Sequence, residues 1–332
     1  MAIKIAINGF GRIGRCASRI VLNDPNYELC IINDTGERKM TRYLLKYDSV
    51  HGEFNQEVDI IDDDYISISG KKIRVYSTRE ISDMDLSGID VVLECTGKFL
   101  TTQKCEAYLK QGAKKVIMSA PAKDDTPTFV LGVNHQKYNG EAIISNASCT
   151  TNCLGPVARV LDDNFGIQKG LMTTIHAYTN GQSLVDVKCR DLRRSRAGAQ
   201  NIIPTSTGAA KAMKLVMPNL DGKLHGQSVR VPVANVSMVD LTAVLNKSTS
   251  KDELTQVFIN AAKTSLKGIM LVDFDERVSS DFYTCAYSSI VAADLLQVIC
   301  GDMVKIMAWY DNEWGYSARL VEMAGFINSY FS

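Results

Sequence analysis

The chain has 332 residues, of which 45% are apolar and 22% charged, with Lys+Arg and Asp+Glu at 37 each. This is a globular composition that excludes a disordered or fibrous chain, and zero formal charge weakens the case for a nucleic-acid partner, which calls for a basic excess. At roughly 150 residues per domain the length suggests two domains, and no run of about 18 apolar residues offers a membrane span.

The N-terminus, Met1-Ala2-Ile3-Lys4-Ile5-Ala6-Ile7, lacks the basic n-region, long apolar stretch and cleavage site of a signal peptide. The nine cysteines contain no CxxC, and the four histidines no HExxH, so no metal site is expected. Free thiols point to a reducing compartment and a cytoplasmic protein.

In chain order, short apolar runs alternate with helical patterns. Strands are expected at residues 3–7, 29–32, 91–94, 115–118 and 142–144, with helices at 13–22 and 102–111. This order predicts a parallel sheet with crossover helices. Further on, residues 236–245 and 304–310 alternate as longer strands, the latter with Val304, Ile306, Ala308 and Tyr310 on one face. Helical segments at 208–217 and 252–266 sit between longer strands, which suggests a mostly antiparallel sheet with helices on one face. A last helix covers 317–330.

Gly9-Phe10-Gly11-Arg12-Ile13-Gly14 follows the first strand and opens the first helix. The first glycine allows the tight turn, the second lets backbone approach a pyrophosphate, and the third lets helix and strand pack closely. The helix N-terminus then offers N–H groups to phosphates. Asp34 ends the second strand, where a carboxylate accepts from a ribose hydroxyl. The fold expected is α/β: a Rossmann-type dinucleotide-binding domain over residues 1-148, and a second α+β domain with a mostly antiparallel sheet over 149-312. The C-terminal helix, 313-332, packs back on the first domain.

Ser145-Asn146-Ala147-Ser148-Cys149-Thr150-Thr151-Asn152-Cys153-Leu154 leads into an apolar helical run. With Ser148 as N-cap, Cys149 falls in the first helical turn, where dipole and free N–H groups favour a thiolate over the ordinary thiol of pKa ~8.5. A buried, inert cysteine is the plainer reading for Cys153. His51 and His135 lie in polar, loop-like stretches, and His225 sits between glycines. His176 stands in Met172-Thr173-Thr174-Ile175-His176-Ala177-Tyr178, a strand-like run; it matters as a base only if that strand ends at Cys149.

These residues belong to a larger pattern. ASCTTNCL stands at 147–154, INGFGRIGR at 7–15, LLKYDSVHG at 44–52, SAPAK at 119–123, PTSTGAAKA at 204–212, RVP at 230–232 and WYDNEWGYS at 309–317. In this order the chain resembles phosphorylating glyceraldehyde-3-phosphate dehydrogenase over nearly its whole length. The resemblance implies Cys149 as nucleophile and His176 as base, acting as a thiolate–imidazolium pair. It implies oxidation of glyceraldehyde 3-phosphate through a thiohemiacetal and a thioester that inorganic phosphate cleaves. One phosphate pocket would use Ser148, Thr150, Thr207 and Gly208, the other Thr179 and Arg230, with Arg194 shared. The cofactor, NAD with NADP also admitted, would be held by Gly9, Gly11, Arg12, Ile13, Asp34, Ser119, Asn180, Asn312 and Tyr316, with Arg79 at the adenine end. A long loop carrying Arg193-Arg194-Ser195-Arg196 reaches a neighbouring subunit in that family, which implies a homotetramer.

Two departures from the pattern matter, one in a phosphate pocket and one at the cofactor. Gly181 stands where the family commonly has Asp, and Asp34-Thr35-Gly36 and Val187-Lys188 differ from strictly NAD-dependent members. An erythrose-4-phosphate dehydrogenase is the near rival, disfavoured by the intact run Thr205-Ser206-Thr207-Gly208. A silent NAD- or RNA-binding scaffold is disfavoured by retention of both Cys149 and His176. A cysteine hydrolase would need neither the glycine turn nor Asp34.

Overall fold

The computed structural model describes residues 2–330, the side chain of Lys211 excepted. Its first sheet grows from strands rich in Ile and Val. β1 (Ile3–Asn8) and β2 (Tyr27–Asn33) pair in parallel through Ile5↔Leu29 and Ile7↔Ile32, joined by helix α1 (Arg12–Asn23). Helix α2 (Arg38–Lys46) follows, then β3 (Val58–Ile60), β4 (Tyr65–Ile68), β5 (Lys71–Tyr76) and β6 (Val91–Glu94). Helix α3 (Thr102–Lys110), β7 (Lys115–Met118) and β8 (Ile143–Ser145) complete the set. The sheet order is β3-β4-β5-β2-β1-β6-β7-β8, parallel from β5 through β8. Val91 and Leu93 are fully buried, as a strand covered on both faces requires.

The antiparallel extension β3-β4 was not expected from the sequence. Each strand is short, and Ser69 (φ 46°) with Gly70 (φ 81°) turns β4 into β5. Two left-handed residues make the hairpin turn that suits strand twist. Helix α2 was also unforeseen, because it buries only Thr41 and Leu45. Arg19 holds it from outside. This buried guanidinium donates to Leu45 O from Nε at 3.1 Å and from Nη2 at 2.9 Å, and to Gly52 O at 3.0 Å. The expected strand at 142–144 sits one residue later.

The second sheet follows helix α4 (Cys149–Phe165). Its strands are β9 (Ile167–Ala177), β10 (Ile203–Ser206), β11 (Leu224–Val231), β12 (Ser237–Leu245), β13 (Met270–Asp273), β14 (Ser289–Ala292), β15 (Gln297–Ile299) and β16 (Met303–Tyr310). The helices α5 (Ala209–Val216) and α6 (Lys251–Lys263) lie between them in sequence, and α7 (Trp314–Ser329) closes the chain. The order is β10-β11-β9-β12-β16-β14-β13, with β15 on β16. Only β11–β9 and β13–β14 are parallel, so the sheet is mostly antiparallel.

The contacts divide the chain into one unit of Met1–Phe129, Lys137–Ala147 and Ser317–Ser332 and another of Val130–Gln136 and Ser148–Tyr316. The segment 130–136, placed by sequence in the first domain, clusters with the second. The cause is close packing on α4 and beyond α6: Arg159 Nη1 donates to Val133 O at 3.0 Å, and a Cβ on Gly132 would strike Ile269 at 3.0 Å. Within the first unit, Lys115 Nζ donates to Ile327 O of α7 at 2.6 Å.

Arg19→Met should strip the Leu45 carbonyl at the end of α2, and that of Gly52 beyond it, of this donor and cost about 2–4 kcal/mol locally. Hydrogen exchange is the check: α2 amides should exchange faster, while those of α4 stay protected.

Candidate active site

Ser148 caps α4, its Oγ accepting from Thr151 N at 3.1 Å with extended backbone (φ −109°, ψ 164°). That places Cys149 in the first turn, at the positive end of the helix dipole. Its Sγ lies 3.6 Å from His176 Nε2.

Strand register brings the other groups to the same end of the second sheet. Arg230 of β11 pairs directly with His176 of β9, and Ser237 of β12 with Tyr310 of β16. Ala177 N donates to Ser237 Oγ at 3.1 Å, and that hydroxyl donates to Asn312 Oδ1 at 2.7 Å. The buried Tyr310 hydroxyl lies 2.8 Å from both Thr150 Oγ1 and Thr174 Oγ1. Tyr310 therefore ties the first turn of α4 to β9, and its ring stands edge-on to His176. Sequence reading missed this tyrosine; its in-row spacing on the 304–310 strand was the available signal.

His176 Nδ1 is 2.7 Å from Ala177 O, and Arg230 Nη1 donates to the same oxygen at 2.9 Å. Nδ1 also lies 2.6 Å from Arg230 Nη1; in the tautomer that gives Nδ1–H to the carbonyl, Nε2 presents its lone pair to Sγ. Burial lowers the imidazole pKa, and the Arg230 charge lowers it further. Burial pushes the Cys149 thiol up, opposed by the Thr150 hydrogen bond and by Arg230. Neither group ionises readily alone. A proton passed from Sγ to Nε2 creates both charges together, each stabilising the other.

Arg194 Nε donates to Thr205 Oγ1 at 2.8 Å, and its charge reaches both His176 and Arg230. Arg230 Nε is buried with no protein partner. A cation with a free donor at this point suits an anion. Thr207 Oγ1 accepts from Ala209 N at 3.1 Å at the start of α5, beside Gly208. Thr179 and Asn180 are exposed on the loop after β9, which reaches to residue 202 without helix or strand. A Cβ on Gly181 would meet only Thr179 Oγ1, at 3.8 Å. Cys153 is fully buried, its Sγ turned to Ala308 O at 3.8 Å and its pKa raised by burial.

The first unit holds a cavity of about 260 Å³ at the carboxyl ends of its strands, lined by Gly9, Gly11, Asp34, Thr35 and Arg79 among others. Gly9 has φ +93°, and a Cβ there would meet Cys95 C at 2.7 Å. A Cβ on Gly14 would strike Gly9 O. Gly11 is different, since a Cβ there meets no protein atom within 4 Å. Its bareness serves no packing and leaves room for a ligand against the start of α1, where no side chain caps the helix. This fits a dinucleotide pyrophosphate. Arg12 and Ile13 open that helix. Asp48, from LLKYDSVHG, forms an ion pair with Arg12 and accepts from Val50 N and His51 N. Burial opposes its ionisation, yet these donors hold its pKa at about 2. Ser119 follows β7 with its N–H on Glu94 O, and Asn312 and Tyr316 are buried in the second unit. No helix among the described residues is long and apolar enough to cross a membrane.

Comparison with known proteins agrees with this geometry. The family description "Glyceraldehyde 3-phosphate dehydrogenase, NAD binding domain" matches residues 3–102, and the C-terminal domain of the same family matches 148–312. Glyceraldehyde-3-phosphate dehydrogenase 1 of Bacillus cereus is 48% identical over 330 residues, 98% of either chain. The glyceraldehyde-3-phosphate dehydrogenase of Geobacillus stearothermophilus is 47% identical over 99% of either chain. The chloroplastic glyceraldehyde-3-phosphate dehydrogenase A of Zea mays is 51% identical over 97% of this chain and 81% of its own.

The two glycines should separate cleanly. Gly14→Ala should destabilise the first unit by about 1–3 kcal/mol through overlap with backbone. Gly11→Ala should leave the melting temperature unchanged and weaken NAD binding about tenfold or more. Thermal melts and NAD titrations of both variants decide it.

Proposed function

Because the chain belongs to the glyceraldehyde-3-phosphate dehydrogenase family, we propose that it oxidises D-glyceraldehyde 3-phosphate to 1,3-bisphosphoglycerate with NAD and inorganic phosphate. The observation that carries this is Cys149 Sγ, in the first turn of α4, 3.6 Å from His176 Nε2. Residues 1-148 with the C-terminal helix then form the cofactor domain, and 149-312 the catalytic domain. We place the reaction in glycolysis and gluconeogenesis.

Cys149 attacks the aldehyde carbon to give a thiohemiacetal on sulfur. His176 Nε2 takes the hydroxyl proton as hydride leaves. NAD supplies the hydride acceptor. A thioester remains on Cys149, and phosphate oxygen attacks it, returning the thiolate. The N–H groups and hydroxyls around Ser148, Thr150, Thr207 and Gly208 and the guanidinium groups of Arg194 and Arg230 suit the two phosphates. Thr179 and Asn180 adjoin them on the long loop, and Asn312 and Tyr316 are assigned to the nicotinamide.

We infer a homotetramer from the long loop, where Leu184, Val185 and Leu192 stand 72–88% exposed; such apolar exposure suits an interface. No disulfide joins any of the nine cysteines, which fits a reducing cytoplasm.

Turnover should require phosphate, with arsenate able to replace it. Cys149→Ser should nearly abolish NADH formation and leave NAD binding intact, while Cys153→Ser costs far less. Arg230→Ala should weaken use of the phosphorylated substrate strongly. Full turnover without phosphate or arsenate would instead mark a hydrolytic enzyme.

NADP should be used beside NAD. Asp34 favours ribose hydroxyls and repels a 2′-phosphate, but Thr35 and Gly36 add little bulk, and Lys188 supplies a cation on the exposed loop. Lys188→Pro should lower the NADP/NAD ratio of kcat/KM; an unchanged ratio removes Lys188 from cofactor choice.

A further inference from the structure

Asn8 and Glu94 are the last residues of β1 and β6, and they stand opposite each other in the parallel ladder. Glu94 is fully buried, and no lysine or arginine pairs with it among the described residues. Four donors surround it instead. Asn8 Nδ2, at 2.9 Å, and the Tyr108 hydroxyl donate to Oε2; Thr96 N, at 2.7 Å, and the Thr96 hydroxyl donate to Oε1. Two carboxylate oxygens offer about four lone-pair sites, so the ionised group is saturated.

The chain of bonds continues away from Glu94. Asn8 Oδ1 accepts from Asn33 Nδ2 at 2.6 Å, and Asn33 Oδ1 accepts from Thr78 N at 3.1 Å. Asn8, Asn33, Thr78 and Thr96 all line the 260 Å³ cavity. The polar part of the cavity wall is therefore joined, from behind, to one carboxylate.

We propose that Glu94 is a positioning residue for dinucleotide binding: its carboxylate fixes the gap between the Asn8-Gly9 end of β1 and the Thr96 turn after β6. This rests on assigning that cavity to NAD. The inference is specific about direction. Every group facing Glu94 donates, so an amide in its place turns an N–H toward another donor. Asn8 or Thr96 must then rotate, and the cavity changes shape without any change at Cys149 or His176.

The test is Glu94→Gln and Tyr108→Phe in the full chain, with NAD titrations, steady-state kinetics and circular dichroism. Glu94→Gln should raise the Kd and KM for NAD about tenfold, while kcat at saturating NAD and the KM for glyceraldehyde 3-phosphate stay near wild type. Tyr108→Phe keeps the carboxylate and three donors; its Kd for NAD should rise about threefold, which keeps the idea testable if the first variant fails to fold. A merely structural role would lower yield or kcat and leave the NAD affinity of the folded fraction alone. Unchanged NAD affinity in Tyr108→Phe and in folded Glu94→Gln overturns the proposal. Wild-type protein that fails to bind NAD overturns the assignment of the cavity itself, and the proposal with it.

Discussion

Cys149 Sγ and His176 Nε2 stand 3.6 Å apart, and the proton between them governs the second unit. Burial penalises a lone thiolate and a lone imidazolium alike. Only a transfer that makes both charges side by side offsets that penalty, and its energy depends steeply on separation. The surrounding structure is arranged to fix that separation. Thr150 and Thr174 share the Tyr310 hydroxyl, so the helix start and the strand end cannot drift independently. Cys153 shows the contrast. It lies four residues along the same helix, faces a backbone carbonyl, and has no imidazole beside it. The same side chain is reactive or inert according to what it meets.

The two sheets serve their sites by the same geometric rule. In the first, parallel strands end together, and the glycine turn and Asp34 lie at their carboxyl edge. In the second, register alone places Arg230, His176, Ser237 and Tyr310 near one another although they are up to 134 residues apart in sequence, from His176 to Tyr310. A loop then adds Arg194, whose charge reaches both His176 and Arg230.

This explains what the sequence made legible. The glycine turn, Asp34 and the capped cysteine are local patterns, with spacing imposed by one turn or one helix start. The position of His176 was not legible from its neighbours; its meaning comes from pairing with a strand more than fifty residues later. Tyr310, Asp48 and Glu94 escaped for the same reason, since each acts through a partner distant in sequence. The hairpin β3–β4 and helix α2 escaped because they bury little and lean on tertiary contacts such as those of Arg19.

Arg193-Arg194-Ser195-Arg196 puts three cations within four residues, and the structure shows how two of them are used. Arg196 pairs with Asp186 at 2.6 Å within the same loop. Arg194 is held by Thr205, with Asp191 beside it at 3.9 Å. Two of the three cations are thus committed locally, which removes the uniform field that a polyanion would need. Arg230 differs, because it donates to the Ala177 carbonyl and lies beside a neutral imidazole, and neither cancels its charge. Where the family commonly has an aspartate, Gly181 adds no compensating carboxylate. The uncancelled charge on Arg230 both favours a phosphate and lowers the thiol of Cys149, so anion binding and thiolate formation draw on one guanidinium. An anion that neutralised Arg230 would remove help from the thiolate and ease the imidazolium at the same moment, so its two effects on the shared proton oppose each other.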